Sequence, residues 1–217
     1  MDKEFWEHAW EEGRTGFHQS KFNDKLLTYF PELLSQENQK VLVPLCGKSK
    51  DMLWLAQKGL EVRGIELYED AVKAFFTENK LPSPEVCRDN DFVTYSQGKI
   101  RISSGDFFKF HETATYDLIY DRAALVALPP EMRKDYVTVL RRALKPNGKY
   151  LLLTYEYDES ELQGPPFSIP EGEVRKLYEN NFSIKKLESQ RPNQESARFD
   201  PVTSLKQTVY ILTLSKS

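Results

Sequence analysis

Cysteine is scarce in this chain of 217 residues: only Cys46 and Cys87 occur, and they form no CxxC pair. That excludes a disulfide framework and a cysteine-based zinc site, and it fits a reducing compartment. A surplus of either charge is also missing, since 30 basic side chains face 33 acidic ones and the net charge is −3. Binding to nucleic acid or to an anionic membrane draws on excess positive charge that displaces counterions, so neither is expected as a partner. No apolar run approaches the ~20 residues needed to cross a bilayer. The N-terminus, MDKEFWEHAWEEGR, is acidic and amphipathic where a secretion signal would be basic and then apolar. The expectation is a soluble cytoplasmic protein without a metal, and a monomer. Internal repeats, low-complexity stretches and Gly/Ser- or Pro-rich linkers are absent too, which points to a single domain over residues 1–217.

What is present is enough apolar material for a sizeable core, 40% of the chain. Residues 2–12 place Trp6 and Trp10 one helical turn apart on one face. A second short helix, residues 24–30, is expected to stop at Pro31. From Lys40 onward, short apolar runs alternate with helical segments, the pattern of a largely parallel sheet covered on both faces. Strands are read at 41–45 (VLVPL), 61–67 (EVRGIEL), within KIRISSGDFF, at 116–122 (YDLIYDR) and at 149–157 (KYLLLTYEY). Helices are read at 50–59, 69–79, 130–144 and in EGEVRKLYEN. Two last strands, 182–189 and 206–216, have no helix between them and suggest an antiparallel pair. The whole is an α/β fold, a doubly wound, seven-stranded, mostly parallel sheet with that antiparallel C-terminal pair. Residues 1–35 would form an N-terminal helical lid and residues 40–217 the core.

On such a sheet, ligands bind beyond the carboxyl ends of the strands, so the residues just after each strand are the candidates. After the first strand comes Leu45-Cys46-Gly47-Lys48-Ser49, where Gly47 permits close backbone approach. The second strand ends in Glu66, 19 positions beyond that glycine, matching the acidic residue that grips ribose hydroxyls in nucleotide sites. The third ends in Gly105-Asp106-Phe107, where Asp106 can accept from an adenine amino group. The fourth ends in Asp121-Arg122-Ala123, close to where a reacting group would lie. A pyrophosphate requires the repeated glycines of GxGxxG, and this chain has LCGKSKDM with one. S-adenosylmethionine (SAM) carries a sulfonium and no phosphate, so it suits the sequence better than a dinucleotide. Trp6, Trp10 and Phe17 are candidates to face the sulfonium if the N-terminal helix folds over the site, although ordinary packing explains aromatics at that spacing equally well. Cys46 is better explained by packing in a tight turn than as a nucleophile. A lone loop histidine such as His18 is more often structural than catalytic.

These residues can be matched to a family. Phe5, Trp6 and Trp10, GFHQ (16–19), VLVPLCGKSKDMLWLA (41–56), GIEL (64–67), SGDFF (104–108) and YDRAALVALPPEMR (120–133) resemble the thiopurine S-methyltransferases, most of all their bacterial members. PLCGK is the distinctive part, because the common SAM methyltransferase turn carries an acidic residue and more glycines. The resemblance implies a Rossmann-like class I methyltransferase in which Trp10, Leu45, Glu66 and Arg122 contact SAM, with Trp6, Phe17, Gly105 and Asp106 as further contacts. It implies methyl transfer to the sulfur of small aromatic or heterocyclic thiols, with selenols and tellurium compounds as further candidate acceptors. Arg122 and Arg198 would stabilise the attacking thiolate. The alternatives are a SAM-binding regulatory module without turnover and, on the same architecture, a nucleotide-dependent oxidoreductase.

Overall fold

The computed structural model describes residues 8, 10, 12, 18–35, 39–192 and 197–215. They fall into two compact units, Met1–His111 and Glu112–Ser217. Of the expected N-terminal lid, Trp6 and Phe17 lie outside the described residues.

The first unit begins with helix α1 (Asp24–Tyr29), whose start is set by Asn23: its side-chain oxygen accepts from the Lys25 and Leu26 amides. Such a cap contributes about 1 kcal/mol. The helix was expected to run to Phe30 and stop at Pro31. Phe30 instead keeps helical torsions and the chain tightens into a 3₁₀ turn over Phe30–Leu33. Proline lacks the N–H for the α-helical bond, and the shorter-range pattern accommodates the loss. Then follow β1 (Lys40–Pro44), α2 (Asp51–Gln57), β2 (Glu61–Glu66) and α3 (Glu69–Glu78). β3 (Glu85–Arg88), β4 (Val93–Gln97) and β5 (Ile100–Ser104) complete the unit's strands. The strand order is β3-β4-β5-β2-β1. β1 pairs parallel with β2 and β2 with β5, whereas β4 pairs antiparallel with both β5 and β3. Leu42, Met52, Leu55, Ile65, Val72, Phe75 and Ile102 are out of solvent, each worth roughly 1.5–3 kcal/mol by burial.

The second unit holds β6 (Tyr116–Arg122), α4 (Pro130–Ala143), β7 (Leu144–Glu156), α5 (Glu171–Tyr178), β8 (Phe182–Gln190) and β9 (Lys206–Leu214). Its order is β6-β7-β9-β8. β6 and β7 are parallel, β7 and β9 antiparallel, and β8 and β9 form the expected antiparallel pair. Its core is unusually rich in tyrosine: Tyr120, Tyr136, Tyr150, Tyr178 and Tyr210 are all fully buried.

Three expectations are corrected. The described residues contain nine strands instead of seven, because Glu85–Gln97 forms a hairpin that the apolar pattern did not show. All four residues of β3 are exposed, so the strand carries no alternation. Its turn is held by Asp89, which accepts from the amides of Asp91 and Phe92 at 2.9 and 2.8 Å. With that hairpin and the two antiparallel pairings of the second unit, the strands are mixed and not mostly parallel. β7 also starts five residues earlier than the expected 149, with the KPNG stretch inside it and a register shift between Tyr116 and Leu118 on its neighbour.

Candidate active site

In the first unit the chain turns sharply after β1. Leu45 (φ +44°) and Gly47 (φ +52°) both adopt left-handed torsions, an unfavourable state for leucine that persists only where surroundings impose it. The turn is tied to β2 by the Cys46 amide, which donates to the Ile65 carbonyl at 3.0 Å. A Cβ on Gly64 would come within 2.8 Å of the Cys46 sulfur, so the glycine makes room for that side chain. The thiol is buried, and its pKa is pushed well up by desolvation and then by the charge of Glu66. It stays protonated, in keeping with a packing role.

Glu66 occupies the last position of β2 and is 6% exposed. One carboxylate oxygen accepts from the Gly47 amide at 2.8 Å and the other from the Tyr68 amide at 3.0 Å. The Glu66 carbonyl accepts from the Gly105 amide at 2.9 Å, so the ends of β1, β2 and β5 are joined through this one residue. Desolvation raises its pKa above the ordinary carboxylate value, opposed by hydrogen bonds from the Tyr68, Gly47 and Leu67 amides. An ionised carboxylate has about four acceptor sites. The Gly47 and Tyr68 bonds fall one on each oxygen, and together with the Leu67 amide they do not fill the carboxylate's acceptor sites.

At the end of β5, Gly105 is required by the hairpin itself: a Cβ there would lie 2.4 Å from the Phe92 ring and 2.5 Å from the Asp91 carbonyl. Asp106 is exposed and accepts from the Phe108 amide at 2.9 Å. It therefore caps the short turn Phe107–Lys109 and retains further acceptor capacity. Trp10, half-buried, stacks on Tyr68 with ring centroids 6.1 Å apart and planes 15° from parallel. Sequence reading passed over Tyr68, although an aromatic two residues beyond a strand-terminal glutamate was a visible signal. Residues just before α1 are also docked on this unit: the Asn23 amide donates to buried Asp51 at 2.9 Å, and Lys50 donates to the Ser20 carbonyl at 3.2 Å. His18 is half-buried in the same stretch.

In the second unit, Arg122 is half-buried at the end of β6, opposite Leu153 of β7, and Ala123 after it has φ +66°. Arg198 is exposed on the short turn Ala197–Phe199 and donates to the Gln163 carbonyl at 3.0 Å. Glu161 ties the same two segments together, accepting from the backbone amides and hydroxyls of Thr203 and Ser204. Those hydrogen bonds hold its pKa down at about 2. Tyr155 and Tyr157 pack on Phe199 beneath, with centroids 4.8 and 6.0 Å away. Among the described residues no cluster of His, Cys, Asp and Glu could hold a metal ion, and no helix is long and apolar enough to cross a membrane.

The family model for thiopurine S-methyltransferase matches residues 1–215. The chain belongs to the thiopurine S-methyltransferase family. Among its relatives, the thiopurine S-methyltransferase of Aliivibrio salmonicida is 44% identical over 91% of this chain and 92% of its own length. That of Pseudomonas fluorescens is 40% identical over 99% of this chain and 100% of its own. A SAM-dependent methyltransferase from Methanosarcina mazei shares the fold, with a TM-score of 0.67 and 17% identity, covering 87% of this chain and 98% of that one. Phosphoethanolamine N-methyltransferase 2 of Haemonchus contortus, solved with SAM, gives a TM-score of 0.67 at 12% identity over 89% of this chain and 53% of that one. Membership in this family makes the protein a SAM-dependent methyltransferase, which sets the oxidoreductase alternative aside. At the ends of the first unit's strands, Glu66 is a buried carboxylate anchored only by backbone amides, with acceptor capacity left over.

Proposed function

We propose that the protein transfers a methyl group from SAM to the sulfur of small aromatic or heterocyclic thiols, leaving S-adenosyl-L-homocysteine. The reading rests above all on 40–44% identity over nearly the whole chain to proteins named thiopurine S-methyltransferase. Bound SAM supplies an electrophilic methyl on a positive sulfonium. Glu66 accepts the two ribose hydroxyls, Asp106 accepts the adenine amino group beside Gly105, and the Leu45 turn brings backbone close to the nucleoside. Trp10 on its Tyr68 platform, with Trp6 and Phe17, forms an aromatic lid that faces the sulfonium and excludes water. Arg122 and Arg198 offer positive charge to the incoming thiolate. Heteroaromatic thiols are appreciably ionised near neutral pH, so orientation and charge complementarity suffice without a dedicated general base. Selenols and tellurium compounds, with similarly soft nucleophilic atoms, are further acceptors. The chain works as one cytoplasmic catalytic domain over residues 1–217, as a monomer.

A methyl-transfer assay with labelled SAM against heteroaromatic thiols, aliphatic thiols, selenite and tellurite tests the acceptor class. The expected ranking places heteroaromatic thiols at least tenfold above aliphatic ones in kcat/KM. Tight SAM binding without transfer to any acceptor would point instead to a regulatory module.

A further inference from the structure

Arg122 leaves β6 into a residue that resists its own conformation. Ala123 has a Cβ yet sits at φ +66°, a state that costs on the order of 1–3 kcal/mol and needs outside support. The support comes from the residue on the other side of Arg122. Asp121 is 0% exposed. One of its carboxylate oxygens accepts from the amides of Ala124 and Leu125 at 3.3 and 3.2 Å, spanning the strained residue. The other accepts from the hydroxyls of Tyr136 at 2.7 Å and Tyr150 at 2.5 Å. Four donors use all of its acceptor sites, so the group has no capacity left for a ligand.

The two tyrosines come from different elements. Tyr136 belongs to α4 and Tyr150 to β7, and the Tyr150 hydroxyl lies 3.1 Å from that of Tyr178 in α5. Tyr150 and Tyr178 also meet edge to face, 5.7 Å between centroids. The turn after β6 is thus referenced to α4 and β7 through one carboxylate, and to α5 through Tyr150. A core needs no such device for stability, because burying a charge costs several kcal/mol and apolar side chains of the same volume often do as well. What the arrangement adds is a fixed direction for the chain at Arg122.

We propose that Asp121 is a positioning residue for methyl transfer, acting through the Arg122–Ala123 turn, with Tyr136 and Tyr150 as its anchors. The inference rests on the role given to Arg122 in the proposed function. Tyr136→Phe and Tyr150→Phe remove one donor each and keep the ring, which preserves packing. Their kinetics are measured with SAM and a mercaptopurine as acceptor, counting active sites by the stoichiometry of SAM binding. Expected is a kcat per SAM-binding site lowered about tenfold and an acceptor KM raised severalfold, since small misplacements remote from the chemistry are costly in rate. A purely structural network would lower the melting temperature and the number of binding sites while leaving kcat per site and acceptor KM at wild-type values, and that result overturns the proposal. Arg122→Gln, which removes the charge, separates the two readings. A glutamine variant equal to wild type in both constants removes the role of Arg122 and the inference with it. A damaged Arg122→Gln beside unaffected tyrosine variants removes the inference alone.

Discussion

Glu66 in the first unit and Asp121 in the second are both buried carboxylates at or next to the end of a strand with a parallel neighbour. In both, desolvation raises the pKa while hydrogen bonds to the charged form oppose the rise. Each also lies beside a turn containing a left-handed residue with a side chain, Leu45 in one case and Ala123 in the other. The difference is in their hydrogen bonds. Glu66 is met by backbone amides alone and keeps acceptor capacity; Asp121 is met by two backbone amides and two tyrosine hydroxyls and keeps none. Position at a strand end and burial are common to the two carboxylates. The count of donors against lone pairs separates them, and it is the ground for proposing a ligand at Glu66 and none at Asp121.

The comparison can be broken by substitution. The largest effect expected is on stability, from Asp121→Ala: it removes the acceptor shared by the Tyr136 and Tyr150 hydroxyls and leaves the buried Ala124 and Leu125 amides unsatisfied, at about 1–3 kcal/mol for each amide. A melting temperature lowered by on the order of 10 °C, read by calorimetry, is the expected outcome; Glu66→Ala should lower it far less. Equal losses would erase the distinction.

Next comes SAM affinity. Glu66→Ala should weaken it more than tenfold, since charge-assisted hydrogen bonds are worth ~1.5–3 kcal/mol each, and an unchanged Kd would refute the ribose assignment. The same site predicts a pH dependence. Burial lifts the Glu66 pKa above the ordinary 4.5, so protonation begins at a higher pH than for an exposed glutamate and removes acceptor capacity as it proceeds. Affinity for SAM should therefore fall on acidification before pH 4.5 is reached, and Glu66→Gln, weak throughout, should show no such fall.

The smallest effect belongs to the Trp10–Tyr68 stack, worth roughly 0.5–1.5 kcal/mol. Tyr68→Ala should raise the SAM KM a few-fold, with Tyr68→Phe close to wild type because the ring is retained. If the alanine variant matched wild type as well, Tyr68 would be packing and not a platform for the lid.

Much of the first unit was legible because its signals are local. Gly47 and Glu66 are 19 residues apart along the chain, and the strand-helix-strand pattern between them brings the one to the end of β1 and the other to the end of β2. The hairpin Glu85–Gln97 was not legible, since an edge strand exposed at every position has no buried face to leave a periodic trace. Tyr136, Tyr150 and Tyr178 lie in three separate elements, α4, β7 and α5. Nothing local announces that two of them meet one aspartate. Glu161, too, carries no local signal: its partners Thr203 and Ser204 lie 42 and 43 residues away along the chain.

The amino-acid sequence by itself determined the α/β class, the order of most elements, the family and the cofactor, because those follow from hydrophobic period and from motifs in which neighbouring residues act together. Only the tertiary structure decided the strand number, the mixed pairing and the unlike hydrogen-bond surroundings of Glu66 and Asp121. Those depend on which donors distant segments deliver to each carboxylate, and hydrogen-bond partners that meet only on folding leave no pattern along the chain.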